Sequence, residues 1–317
     1  IRVFEEKSML EKYCDWWVHA PFLLKEAGKI KDPLESLKYV ICFGLSSLHF
    51  SASQLKPFNP LLGETYQGEF EDGTKVYLEH TSHHPCVSNF YIKDIDNLFS
   101  ISGYFDMQPE GTIKMLLTNY VYLLHKGRSS VYLKASNRVI DYQIPKLHFG
   151  GIVYGERVTF WEGFMKFEDR SANLKAVIQF KPKNGKFHDI YGEIYKYDFS
   201  KEKKKEFYES TVKDPFPKDR SLVLAVITGS YLESILIDNK EFLNVKEMKL
   251  TNLLHEKKFV LPGDFRYRED INWLTRAANV KYRSSDLKKE FENFAQDWKL
   301  ALEAQQRHDR KLREKKK

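Results

Sequence analysis

From residue 66 to residue 197 apolar and polar side chains alternate with a period of two, the spacing of a strand with one buried face. Val76, Leu78 and His80 alternate with Tyr77, Glu79 and Thr81, and comparable runs follow at 87–92, 99–105, 112–117, 120–124, 130–134, 158–164, 174–180 and 190–197. Asp72 and Gly73 mark a tight turn ahead of the first run. Two more runs, 222–227 and 231–237, follow a charged interruption that contains Lys203, Lys204 and Lys205. So many short strands separated by turn residues predict one large antiparallel sheet, which at that size curls into a barrel or splits. Its inward positions are apolar whether they fill the interior or surround a ligand. Gly150, Gly151 and Gly155 have strand patterns on both sides and read as bends, because a phosphate loop needs a strand and then a helix.

Helical periodicity flanks the strands. Met9, Leu10, Tyr13, Trp16 and Trp17 recur at three-and-four spacing. A second helix opens with Asp32 as cap, Pro33 in the first turn and Glu35 after it, and buries Leu34, Leu37, Val40 and Ile41. Both are expected to pack on the sheet. After an irregular crossing at 261–270, a last helix carries Phe291, Phe294, Trp298 and Leu302 as an apolar stripe, expected to pack on the outside or mouth of the sheet.

The net charge of +7 is uneven, with basic residues far outnumbering acidic ones over 299–317. A basic tail implies attraction to a polyanion, nucleic acid or an anionic membrane face. Cys14, Cys42 and Cys86 fit neither a disulfide framework nor a metal knuckle, which favours a reducing, cytosolic compartment. The chain begins at Ile1 with no charged-then-apolar leader and reads as a piece of a longer one. No apolar run approaches the roughly 20 residues of a membrane span, so membrane contact is expected to be peripheral.

Two groups of residues carry chemistry. His83 and His84 stand just before Pro85, between two predicted strands; a turn there brings both rings to one side, where imidazoles donate hydrogen bonds to a phosphate. The alternative is that one or both are surface or packing histidines. Lys299, Glu303 and Arg307 step by four along the last helix, which alone describes either an exposed charge ladder or one wall of a site.

Residues 56–64, Lys-Pro-Phe-Asn-Pro-Leu-Leu-Gly-Glu, together with 79–85, resemble the lipid-transfer domain of the oxysterol-binding protein family. Its members carry K-P-x-N-P-x-L-G-E and E-Q-x-S-H-H-P-P. The first element is complete here; in the second, His80 replaces glutamine and Cys86 replaces the last proline. The resemblance extends through Leu261, Pro262 and 265–270 to the terminal helix, with Tyr231 where members commonly have tryptophan. It implies a mainly β (α+β) fold, a near-complete antiparallel barrel around a hydrophobic lipid tunnel with helices at both ends. The chain would be one lipid-binding domain: a helical part over 1–50 with little of the family's lid before Ser8, the barrel over 51–250, and a crossing segment and helix over 251–317.

By the same resemblance the ligand is phosphatidylinositol 4-phosphate. His83, His84 and Arg307 would hold its ring phosphate, Lys56 the phosphodiester, and Lys299 and Glu303 the inositol, with Asn59 a further headgroup residue. A sterol or phosphatidylserine would compete for the tunnel and be exchanged against it between organelle membranes or at membrane contact sites. The alternative is a phosphoinositide sensor that moves no second lipid. Arg310, Lys311 and 315–317 read as a solvated continuation, adding about 1 kcal/mol each where they reach an anionic leaflet. No cofactor, metal, nucleic acid or subunit partner is implied. Nor is enzymatic activity, since the chain has no G-x-S-x-G elbow, H-E-x-x-H helix, P-loop or dinucleotide fingerprint.

Overall fold

The structure, a computed structural model, describes residues 4–49, 56–110, 119–151, 153–180, 186–201, 216–248, 253–254, 268–280 and 285–314. The expected strand at 112–117, the Lys203–Lys205 run, most of the 261–270 crossing and the last three lysines lie outside these residues.

A short parallel pair, β1 (Phe4–Ser8) and β2 (Lys56–Phe58), stands apart from the main sheet. The alternating stretch folds as β3 (Thr65–Phe70), β4 (Lys75–Ser82), β5 (Val87–Lys93), β6 (Phe99–Glu110), β7 (Tyr120–His125), β8 (Ser129–Leu133), β9 (Arg138–Gln143), β10 (Lys146–Gly150), β11 (Val158–Asp169), β12 (Leu174–Phe180) and β13 (Asp189–Lys196). β14 (Val223–Ser230), β15 (Ser234–Ile237), β16 (Lys240–Asn244) and β17 (Leu253–Leu254) complete it. These fifteen strands form one sheet in the order β16-β15-β14-β13-β12-β11-β10-β7-β6-β5-β4-β3-β17, with β8 and β9 as a second link between β6 and β11. The sheet is large and antiparallel, and its two ends, β16 and β17, are not paired with each other among the described residues.

The link has a simple cause. β6 and β11 are twelve residues long, enough for two partners on one edge: β6 pairs β8 over 99–103 and β7 over 107–110, while β11 pairs β10 over 158–162 and β9 over 166–168. Gly163, at φ +92°, falls between the two halves of β11, where a positive φ allows the strand to bend. Gly151, at φ +69°, turns the chain out of β10, and its absent Cβ would meet the Glu156 carbonyl at 1.9 Å. Gly151 acts as a bend, as the flanking strand patterns predict, whereas the bend at Gly163 lies outside that expectation.

The apolar face of the sheet is covered from the chain's own N-terminus. α1 (Met9–Tyr13) continues into a 3-10 turn at Cys14–Trp17, followed by α2 (Ala20–Lys29) and α3 (Pro33–Ser47). Asp32 caps α3, accepting the Glu35 N–H at 2.8 Å. Tyr13 stacks on Phe105 at 4.1 Å, Trp17 meets Phe90 at 4.9 Å, and Trp16 meets Trp161 at 6.1 Å. Leu10, Leu24, Leu37 and Phe43 are fully buried in the same cluster as Ile101, Val131, Ile178 and Ile227 of the sheet. Each such leucine or phenylalanine contributes about 1.5–3 kcal/mol. α2 escaped the sequence reading because it contains Pro21 and Gly28, both nominal helix breakers. Pro21 sits harmlessly in the first turn, and Gly28 is needed because a Cβ there would lie 2.4 Å from the Leu98 carbonyl.

At the other end, α4 (Glu269–Ala278) and α5 (Ser285–Glu314) pack together. Among the described residues the apolar stripe of α5, expected on the outside or mouth of the sheet, packs on α4 and the small parallel pair. Phe291 and Phe294 meet Trp273 of α4 at 5.3 and 4.9 Å, and Ala295 is buried with Phe58 of β2 and Leu274 of α4. The helix finds its apolar partner in a neighbouring helix and the small parallel pair, which leaves its adjacent charged face directed into a cavity.

Candidate anion-binding cavity

The two motif segments are stitched together by backbone. The Gly63 N–H donates to the His80 carbonyl at 2.8 Å, and the His80 N–H donates to the Glu64 carbonyl at 2.9 Å. Glu64 then holds its own loop, its carboxylate accepting the Leu61 N–H at 2.8 Å and an Arg268 N–H at 2.7 Å. Arg268 also donates to the Asn59 carbonyl at 3.0 Å and to Asp270 at 3.0 and 3.1 Å, tying the loop to the start of α4. Burial opposes the Arg268 charge, but Glu64 and Asp270 outweigh it and raise its pKa.

At the end of β4 the register with β5 shifts between His80 and Ser82, and the chain turns through 83–86 with a cis bond at Pro85. The His83 and His84 rings sit edge to face at 5.2 Å, on the same side as expected. Beneath them His80 is completely buried, its Nδ1 3.0 Å from the Ser88 hydroxyl and its Nε2 3.0 Å from His83 Nδ1. Burial, with His83 beside it, pushes the His80 imidazole down to about 4. His83 is lowered by burial first and then by His84 and Arg310, with Glu303 pulling the other way.

These elements and α5 surround a cavity of about 360 Å³. All seven residues singled out in the sequence line it: Lys56, Asn59, His83, His84, Lys299, Glu303 and Arg307. Glu303 is bonded to Lys299 and lies 3.8 Å from Arg307, so the stepped row is one connected ladder. Phe4, Phe58, Leu61, Leu62 and Leu302 provide an apolar lining, with the Lys56 and Lys299 ammonium groups 5.4 and 5.7 Å from the Phe4 ring. Six lining side chains are cationic and two are carboxylates, before either rim histidine is counted, and that balance suits an anion.

Three placements differ from the sequence reading. Residues 4–8, where the resemblance implies a lid remnant, form β1, and Phe4 faces the cavity. Arg310, expected to be a solvated continuation, lines the cavity together with Gln306 and Arg313, and its charge reaches His83. Steps of four alone reach 299, 303 and 307, whereas 3.6 residues per turn bring 303, 306, 307, 310 and 313 to one face. Arg268, in sequence only one residue of the 265–270 motif, is the clamp on the loop that carries Lys56 and Asn59.

Among the described residues, no helix is long and apolar enough to cross a membrane. The sequence profile described as Oxysterol-binding protein matches residues 1–213. Oxysterol-binding protein 9 of Dictyostelium discoideum is 30% identical over 286 residues, covering 86% of this chain and 64% of that protein. Human oxysterol-binding protein-related protein 8 is 26% identical over 88% of this chain, which spans 30% of its length. Among solved structures, the Osh3 ORD in complex with PI(4)P, from Saccharomyces cerevisiae, superposes with a TM-score of 0.70 at 21% identity, covering 98% of this chain and 79% of that one. The Osh1 ORD domain in complex with ergosterol gives 0.69 at 19% identity, covering 99% and 75%. At these identities the structural likeness is one of fold, while the sequence match over more than half the length settles the family: this chain belongs to the oxysterol-binding protein family.

Proposed function

We propose that this chain binds phosphatidylinositol 4-phosphate by its headgroup and transfers it between membranes. The supporting observation is the convergence of four separate elements (β2, the β4–β5 turn, the start of α4 and α5) on one cavity with a cationic wall and an apolar lining. A phosphate monoester fits His83, His84 and Arg307, where planar guanidinium and imidazole N–H groups donate to its oxygens. Lys56 meets the phosphodiester as a point charge. Lys299 and Glu303 engage inositol hydroxyls, the carboxylate accepting and the ammonium donating, and Asn59 adds a polar contact at the same rim. The acyl chains leave the headgroup past Phe58, Leu61, Leu62 and Leu302, and each buried methylene contributes ~0.8 kcal/mol against the cost of leaving a bilayer. The structural neighbour bound to ergosterol supports a sterol as the second, exchanged lipid. Contact with membranes is peripheral in this reading, through the basic face of α5 and an anionic leaflet.

The test is extraction of phosphatidylinositol 4-phosphate from phosphatidylcholine vesicles by the wild type and by the His83→Ala/His84→Ala double variant. Extraction falls to background in the variant while its melting curve stays that of the wild type. Undiminished extraction by the folded variant removes the histidines from the site.

A further inference from the structure

His80 has no place in the headgroup contacts, being wholly buried behind the cavity wall, and yet both of its ring nitrogens are engaged. We propose that His80 is a positioning residue for His83: by accepting an N–H from His83 Nδ1 at its own Nε2, it fixes the ring and tautomer of His83 and lets that ring carry a proton when a phosphate monoester enters the cavity. The inference rests on reading the cavity as a phosphate site.

The heavy-atom geometry limits where protons can be. A neutral imidazole has one N–H, and His80 makes one contact from each nitrogen, at 3.0 Å to the Ser88 hydroxyl and 3.0 Å to His83 Nδ1. Its burial holds it neutral at physiological pH. If its proton lies on Nδ1, that N–H donates to Ser88 Oγ, and the Nε2 lone pair accepts an N–H from His83 Nδ1. If it lies on Nε2, that N–H donates to His83 Nδ1, and the Ser88 hydroxyl donates back to Nδ1 of His80. In both arrangements His83 Nδ1 is engaged, so Nε2 is the nitrogen that His83 has left for a ligand.

The first arrangement also accommodates a cationic His83 without moving a heavy atom, because an imidazolium needs an acceptor at Nδ1 and His80 supplies one. Without an anion the cationic form is opposed by burial, His84 and Arg310, and favoured by Glu303. Across the same cavity stand Lys56 of β2, with Arg268 and Asp270 at the start of α4. A phosphate dianion reverses that balance. His83 then takes a proton from solvent and donates from both nitrogens, to His80 and to the phosphate. Glutamine at this position offers an amide oxygen to His83 Nδ1 and so retains the acceptor, whereas an aliphatic residue does not.

Two measurements separate this inference from the headgroup reading. Without ligand, imidazole nitrogen NMR of His83 shows one dominant tautomer in the wild type, a mixture with a shifted titration in His80→Leu, and a restored single tautomer in His80→Gln. With ligand, calorimetry against phosphatidylcholine vesicles containing phosphatidylinositol 4-phosphate, in buffers of different ionisation enthalpy, shows proton uptake by the wild type. That uptake is lost in His80→Leu together with about tenfold in affinity, as expected for one hydrogen bond to a charged group, and both return in His80→Gln. Ser88→Ala removes only the outer anchor of His80 and shifts His83 in the same direction by less, so the role stays testable if His80→Leu does not fold. His83 tautomer and proton uptake unchanged in a folded His80→Leu, or His83 titration unchanged in Ser88→Ala, overturns the proposal. Failure of the wild type to bind the vesicles overturns the phosphoinositide reading, and the ligand-free spectra still decide the role of His80.

Discussion

The interior of the sheet and the cavity at its rim satisfy their charges in opposite ways. Inside, Arg138 and Asp169 are 8% and 0% exposed, and they are bonded to each other and, through Arg138, to Ser36 of α3, so the polar group that crosses from sheet to helix is answered within the fold. At the rim, Arg307 is 60% exposed, its nearest carboxylate among the described residues, Glu303, is 3.8 Å away, and that carboxylate is shared with Lys299. A buried charge demands a partner at once, whereas a half-exposed one is held by solvent until something better arrives. Excess cations over an apolar lining therefore leave the rim with charge that its own carboxylates do not balance, whereas the interior pair is balanced within the fold.

Substitutions break that contrast in order of size. Trp17→Ala removes a core ring packed on Phe90 and Phe105, and should cost about 3–5 kcal/mol with a lower melting temperature. The headgroup affinity of the protein that remains folded should be unchanged; a selective loss of binding would show that the two regions are not separable.

Acid comes next. His19, His80 and His125 are pushed down to about 4 by burial. In the unfolded chain they titrate near 6.5, so between those values the unfolded state binds more protons. Stability is therefore full above about 6.5 and is lost as pH falls toward 4, whereas phosphate affinity, through His83, strengthens as pH falls below neutrality. Chemical denaturation measured across that window checks the first trend, and His125→Gln should flatten it; a flat wild-type curve would contradict the burial of these rings.

The smallest expected effect sharpens the comparison within α5. Arg307→Ala and Arg310→Ala should each weaken phosphoinositide binding about tenfold, or about 1.4 kcal/mol, since both line the cavity. Lys311→Ala, exposed on the same helix and not among the cavity residues, should change it less than twofold. Equal losses at all three positions, measured in vesicle titrations, would mean attraction by the helix as a whole.

The interior was more legible in the sequence than the rim because its signal is local. The alternation of Val76, Leu78 and His80 and the cap at Asp32 depend on neighbours a few residues away, and both appear where expected. β1 was missed because Phe4–Ser8 contains no alternation, and its partner lies some fifty residues along the chain, at Lys56–Phe58. Arg268 and Arg310 were missed for a related reason. Arg268 acquires its place by bonding across the chain to Asn59 and Glu64, and Arg310 by the packing of α5 on α4, which orients the whole helical face. His80 looked like an inward strand residue, as it is; that its ring also reaches His83 depends on the register shift that follows it.

The measurement that bears most directly on a phosphorylated headgroup held at this rim is mass spectrometry of the lipid retained by the purified protein after incubation with mixed vesicles. One phosphoinositide per chain is predicted for the wild type and none for His83→Ala/His84→Ala at equal thermal stability. Recovery of the same unphosphorylated lipid from both proteins, with no phosphoinositide from either, would contradict it.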